Sequence, residues 1–203
     1  MLPSTDMAQP AQRPATYEDV LAAPPHMVAQ VLDGELHLHP RPARRHTRSA
    51  SLLGARLASL FDDALQDDGG DWVVRFEPEL HLGPDIPVPD LAAWRVARFP
   101  GDDDEDEAYF AVAPDWACEI LSASTARIDR LKKVPIYARE GVGHLWLVDP
   151  RDRTIEVLRL REQTYELVGT WGGDEGPFVL PPFESAALPA AAFWGRTTVR
   201  PKE

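Results

Sequence analysis

An α/β (α+β) fold, with one mixed sheet and at least one long helix packed on it, is predicted by three observations on the 203-residue chain. Apolar residues recur at three- and four-residue steps through 43–65, and branched and aromatic residues gather in short runs between 72 and 168. A second helical stretch, roughly 125–139, separates two groups of those runs.

The elements follow in order. Residues 1–14 hold Pro3, Pro10 and Pro14 among small polar residues without an apolar period, which predicts a mobile tail. A single domain is expected over 15–198, with a short tail at 199–203. Thr16 supplies an N-cap oxygen for a short helix whose acids, Glu18 and Asp19, lie near its positive end, and Pro24-Pro25 stops it. Two extended runs, 28–32 and 35–39, flank Asp33-Gly34, the pair suited to the positive φ angles of a two-residue hairpin turn. Leu53, Leu57, Leu60, Phe61 and Leu65 mark the long helix, expected to end at Asp67-Asp68-Gly69-Gly70. Strands are expected at 72–76, 79–82, 91–96, 116–121, 144–148, 154–160 and 165–168. Pro135 lacks a backbone donor and should bend the helix at 125–139. Six adjacent acids, 102–107, repel one another and are best solvated in an exposed loop outside any cleft.

Composition narrows the function classes. Hydrophobic residues at 44% and charged residues at 27% fit a globular chain rather than a disordered or fibrous one. Subtracting 33 acids from 21 bases gives −12, which excludes broad electrostatic adhesion to nucleic acid or to an acidic membrane. Nucleic-acid chemistry, if present, is therefore local and metal-bridged. A single cysteine, Cys118, excludes an intrachain disulfide framework and a cysteine-built zinc site. No apolar run approaches the ~20 residues that cross a bilayer and Met1 opens no signal sequence, so the expectation is a cytoplasmic protein without a membrane partner.

Chemistry could sit at few places. In the strand Trp116-Ala117-Cys118-Glu119-Ile120-Leu121, period two sets Trp116, Cys118 and Ile120 on one face and Ala117, Glu119 and Leu121 on the other. Glu119 is either a solvated edge residue or a carboxylate held by a cation, a metal or donors, because burying it alone costs several kcal/mol. Asp90 opens the strand Leu91-Ala92-Ala93-Trp94 and is either a turn residue or a ligand. Two carboxylates on adjacent strands can share an oxygen-preferring ion such as Mg²⁺, with Mn²⁺ as a substitute, if their nearest oxygens lie roughly 3 to 6 Å apart. Asp129 and Lys133 stand four apart on one helix face, as an ordinary ion pair or with Lys133 or Lys132 facing a phosphate. On an ideal wheel Lys133 lies opposite Ile128, Leu131 and Pro135, and Lys132 lies nearer the apolar edge. His37 and His39 share a strand face, more in the manner of a surface pair than of metal ligands. Arg41, Arg44, Arg45 and Arg48 with His46 form the basic cluster, either a solvated helix start or a contact for a phosphate backbone. No Walker loop, dinucleotide-binding glycine pattern or serine nucleophile elbow occurs, and Cys118 is expected to point into the core.

Taken together, Val88-Pro89-Asp90-Leu91, the run from Pro114 through Glu119 to Thr125, Asp129-Arg130-Leu131-Lys132-Lys133-Val134-Pro135-Ile136-Tyr137 and Gly141 through His144 to Pro150 resemble the bacterial Uma-two-type family of restriction endonuclease-like proteins. The Tyr17-Glu18-Asp19 helix, the Asp33-Gly34-Glu35-Leu36 hairpin, His46, Leu188-Pro189 and Phe193-Trp194 match its order, so the resemblance covers nearly the whole domain. It implies the PD-(D/E)XK nuclease superfamily and a restriction endonuclease-like mixed β-sheet flanked by helices, preceded by an N-terminal helix and β-hairpin. It also implies a Mg²⁺ site on Asp90 and Glu119, with Lys133 as the catalytic lysine. The chain departs from the pattern at Leu121, where the plain motif has a lysine, at Gln30, where the family often has glutamate, at Ala123 and at Gly143-His144.

The expected function is a Mg²⁺-dependent endonuclease hydrolysing phosphodiester bonds of DNA, with a homodimer as the assembly to test. Its rivals are a non-catalytic binding or assembly module on the same fold, favoured by net acidity, Leu121 and Gln30, and a regulator whose pocket uses the same carboxylates without metal.

Overall fold

The turn at Asp33-Gly34 shows how local chemistry sets the architecture: both residues take positive φ, 52° and 76°. They join β1 (Met27–Leu32) to β2 (Glu35–Pro40) in an antiparallel pair that closes on Leu32 and Glu35. The structure is a computed structural model that describes residues 13–67, 69–101 and 108–195. The acidic run 102–107 and nearly all of both expected tails lie outside the described residues.

Helix α1 (Tyr17–Leu21) precedes the hairpin, and the Asp19 carboxylate accepts the Thr16 N–H at 2.8 Å. The long helix α2 spans Arg44–Phe61. It ends earlier than its apolar period predicts because Asp62 leaves the helical backbone and its carboxylate accepts the N–H groups of Ala64 and Val74, at 3.1 and 2.7 Å. A 3-10 turn, Asp63–Leu65, follows.

The remaining strands are β3 (Trp72–Phe76), β4 (Glu79–Leu80), β5 (Leu91–Arg95), β6 (Tyr109–Phe110), β7 (Trp116–Ile120), β8 (His144–Asp149), β9 (Thr154–Arg161) and β10 (Thr164–Gly172). Six of them form a mixed sheet in the order β10-β9-β8-β7-β5-β3. Within this sheet only β7 and β8 pair parallel, and a helical crossover joins them as parallel pairing requires. The others pair antiparallel. β4 is shorter than the expected 79–82 and pairs instead with β6, a strand too short to leave a sequence period. β10 is longer than expected, since a bulge at Leu167/Gly169 lets pairing continue to Gly172.

Period two along β7 separates two cores. Trp116, Cys118 and Ile120 join Leu53, Leu57 and Phe61 of α2 and Phe193 of α5 (Ala191–Trp194) in one cluster. Ala117 and Leu121 join Tyr137, Leu145 and Leu147 in the other. Gly54 lets α2 approach the sheet, since a methyl there would meet the Phe76 ring at 2.1 Å. Covered on both faces, β7 leaves Glu119 only 2% exposed, which removes the solvated-edge reading.

The crossover comprises α3 (Ala126–Ile128), a π-helical turn at Asp129–Lys133 and α4 (Val134–Arg139). The expected bend at Pro135 is thus a π-turn just before it. This turn carries the residues that face β7.

Candidate active site

β5 and β7 bring the two carboxylates to one end of the sheet. Leu91 pairs with Cys118, and continuing that antiparallel register by one step sets Asp90 against Glu119. Both line a cavity of about 230 Å³ with His39, His46, Asp129 and Lys133. The Asp90 Oδ2 accepts the Ile120 N–H at 2.6 Å, and its Oδ1 lies 3.1 Å from His46 Nε2 near the start of α2. Burial disfavours a charged His46, but the Asp90 carboxylate outweighs it and raises the imidazole above its usual range. The ring's other nitrogen, Nδ1, is buried without a partner among the described residues.

Glu119 is gripped through both oxygens, Oε1 accepting Tyr137 O–H at 2.6 Å and Oε2 accepting Lys133 Nζ at 2.9 Å. Lys133 also donates to the Val88 carbonyl at 3.0 Å and lies 3.5 Å from Asp129 Oδ1. Its three N–H groups therefore have three oxygen partners. Burial pushes the Glu119 carboxyl up to about 8, with Lys133 pulling the other way and Asp129 and Asp90 adding repulsion. Burial would lower the Lys133 ammonium, yet those carboxylates hold it up at about 12.

The buried side of the helix decides which lysine reaches the site. The side that the sequence pattern marks as apolar faces outward, with Leu131 58% exposed, and the sheet-facing side instead carries Asp129, Lys133, Ile136 and Tyr137, which leaves Lys133 4% exposed. Lys132 points out and pairs with Asp33 at 3.2 Å. Asp129 is buried beside Lys133, so their pair is more than a surface ornament.

Gln30 plays a part that sequence reasoning missed. Its Oε1 accepts the Val88 N–H at 2.8 Å, so its amide nitrogen, 2.8 Å from His39 Nε2, donates to that ring. It does not line the cavity; it fixes the strand whose carbonyl holds Lys133. Tyr137 was missed too, although its place four residues after Lys133 sets both on one helix side. Of the basic cluster, Arg41 and His46 line the cavity, while Arg44, Arg45 and Arg48 are exposed. His37 does not line it.

Two hard carboxylates at one cavity are a donor set suited to an oxygen-preferring divalent ion. Glu77, Asp90, Glu119 and Asp129 line the cavity with Lys133, Arg41, His39 and His46, and burial, with repulsion from Asp129 and Asp90, raises the Glu119 carboxyl. Among the described residues no three or more His, Cys, Asp or Glu side chains form a metal-holding group, so an ion here would keep water or substrate oxygens as its other ligands.

The family model Uma2, described as putative restriction endonuclease, matches residues 14–191. The chain belongs to the Uma2 family. A crystal structure of a putative nuclease belonging to DUF820 from Anabaena variabilis superposes with a TM-score of 0.71 at 22% identity, over 89% of this chain and 98% of that one. That likeness establishes a shared fold. No curated protein matches. Within this Uma2 chain, Leu121 is 3% exposed and packed in the helix-side core, so an inward lysine at that position would displace packing that the fold uses. No helix among the described residues is long and apolar enough to cross a membrane.

Proposed function

We propose that the protein is a Mg²⁺-dependent endonuclease that hydrolyses phosphodiester bonds of DNA. The observation that carries the reading is the convergence of Asp90, Glu119 and Lys133 on one cavity, with each carboxylate fixed by donors from a different element. Asp90 and Glu119 would hold the ion, with Mn²⁺ able to replace Mg²⁺. When bound, the ion supplies Lewis acidity at the phosphate and acidifies water. His46 and the Ile120 N–H orient Asp90, and Tyr137 orients Glu119. Lys133 offsets charge that grows on the phosphate, a role open to it once a phosphate oxygen replaces one of its three present partners.

That full set of partners favours a second reading, a non-catalytic binding module in which Lys133 only neutralises buried acids. Supercoiled and linear DNA treated with wild type, Asp90→Asn and Glu119→Gln, with Mg²⁺ and with chelator, separates the two. The nuclease reading expects chelator-sensitive cleavage by wild type alone. Equal residual cleavage by all three proteins would mark a contaminant and leave the binding module.

A further inference from the structure

We propose that Arg41, Arg44 and Arg45, with His46 beside them, form a track at the start of α2 that docks the phosphate backbone of the DNA strand entering the cavity. The inference rests on the nuclease reading and adds to it the surface that binds substrate. Its first ground is location. Arg41, Pro42, Ala43 and His46 form part of the wall of the cavity that holds Asp90 and Glu119, and Arg44 and Arg45 stand on the helical turn that continues that wall.

The second ground is electrostatic. A helix N-terminus disfavours cations, yet the first turn of α2 carries Arg44 and Arg45 and no acid. Arg41, Arg44 and Arg45 make no ion pair among the described residues, in a chain whose net charge of −12 offers acids in excess. Ala43 at the N-cap provides no side-chain cap, so the opening N–H groups of this 18-residue helix lack that partner. A phosphate satisfies both deficits at once.

The third ground is independent of charge on the surface. His46 is 8% exposed and lines the cavity, and its Nδ1 has no partner among the described residues. A buried polar atom without a partner marks a place for a ligand or water. Arg48 is left out of the track because its guanidinium lies against Gly195, where an added methyl would come within 2.8 Å.

Fluorescence anisotropy with a short labelled duplex and its single strand, in Ca²⁺ over graded KCl, tests the track. The expected result is salt-dependent binding by wild type, weakened ~10- to 100-fold near ~0.1 M salt in the triple variant Arg41→Ala/Arg44→Ala/Arg45→Ala. The slope of log affinity against log salt should fall by ~2 to 3. The triple lysine variant should keep most of the binding, and Arg56→Ala, an exposed cation farther along the same helix, should leave affinity and slope unchanged. Melting temperatures should stay equal, since the three guanidiniums hold no described partner. Wild-type affinity and slope in the triple alanine variant would overturn the track, as would wild type that binds phosphatidylserine vesicles and neither DNA. The nuclease reading fails separately: if Glu119→Gln cleaves like wild type while the triple variant loses binding, the track stands without that catalytic site.

Discussion

Lys133 Nζ lies 2.9 Å from Glu119 Oε2, and Tyr137, one turn further along the same helix side, holds the other oxygen of that carboxylate. A π-turn at Asp129–Lys133 carries the lysine, and it precedes Pro135, whose missing N–H already denies the helix one regular hydrogen bond. Irregular backbone at this point is thus tied to the one cation that faces both buried acids.

Lys133→Ala should therefore lower Mg²⁺-dependent cleavage by ~10² to 10³ and also destabilise the fold by ~3 to 5 kcal/mol, because Glu119 and Asp129 lose a buried partner. Lys132→Ala removes an exposed pair with Asp33 and should cost at most ~1 kcal/mol, with cleavage near wild type. Denaturant melts and plasmid cleavage of both variants check this; a larger cleavage loss in Lys132→Ala would reverse the roles of the two lysines.

Much of this was legible in the sequence, for reasons that differ by element. The hairpin declares itself through Asp33-Gly34 because few residues accept two successive positive φ angles. The two faces of β7 follow from period two, so Glu119 stands out from the sequence alone. Register was not legible: nothing local says that Leu91 meets Cys118, and Asp90 depends on that pairing to face Glu119. The π-turn was not legible either, since helical periodicity assumes a regular turn at each step. Gln30 escaped because its effect passes through the backbone of Val88, which carries no sequence signal.

Glu119→Gln should abolish cleavage while leaving apo stability at neutral pH within ~1 kcal/mol of wild type. Burial already raises this carboxyl to about 8, so its charge is poorly supported, and Lys133 retains Asp129 and the Val88 carbonyl. A drop of more than ~3 kcal/mol in a urea melt would show that the Glu119 charge is needed by the fold itself.

Asp149 offers a pH test away from the site. At the end of β8 its Oδ1 accepts the Arg151 and Asp152 N–H groups at 2.8 and 3.2 Å, and its Oδ2 lies 3.1 Å from the Arg151 guanidinium. Partial burial raises the carboxyl, but the bonds from Arg151 and Asp152 outweigh it and the net shift is downward. A lowered folded pKa gives stability that is present above the unfolded value, ~3.9, and lost as pH falls through the folded one. Asp149→Ala should therefore destabilise the protein at neutral pH and lose its penalty in acid below that range. Melts of both proteins across pH check it, and a penalty constant into strong acid would show that the ionised carboxylate is not the cause.

Divalent ion should stabilise the wild-type fold before any substrate is added. Ligand that binds only the folded state stabilises by RT ln(1 + [L]/Kd), about 2.7 kcal/mol at one hundred times Kd. Mg²⁺ or Mn²⁺ should therefore raise the melting temperature of wild type by a few degrees, and chelator should reverse the rise. Asp90→Asn and Glu119→Gln each remove one charged ligand from the cavity and should abolish most of the shift, whereas Lys132→Ala should keep it. An anomalous peak between Asp90 and Glu119 in Mn²⁺-soaked crystals would locate the same ion directly. Equal shifts in wild type and in both carboxylate variants would place the ion elsewhere, for instance on surface acids of a chain with 33 Asp and Glu residues in all, and the two-carboxylate site would fall.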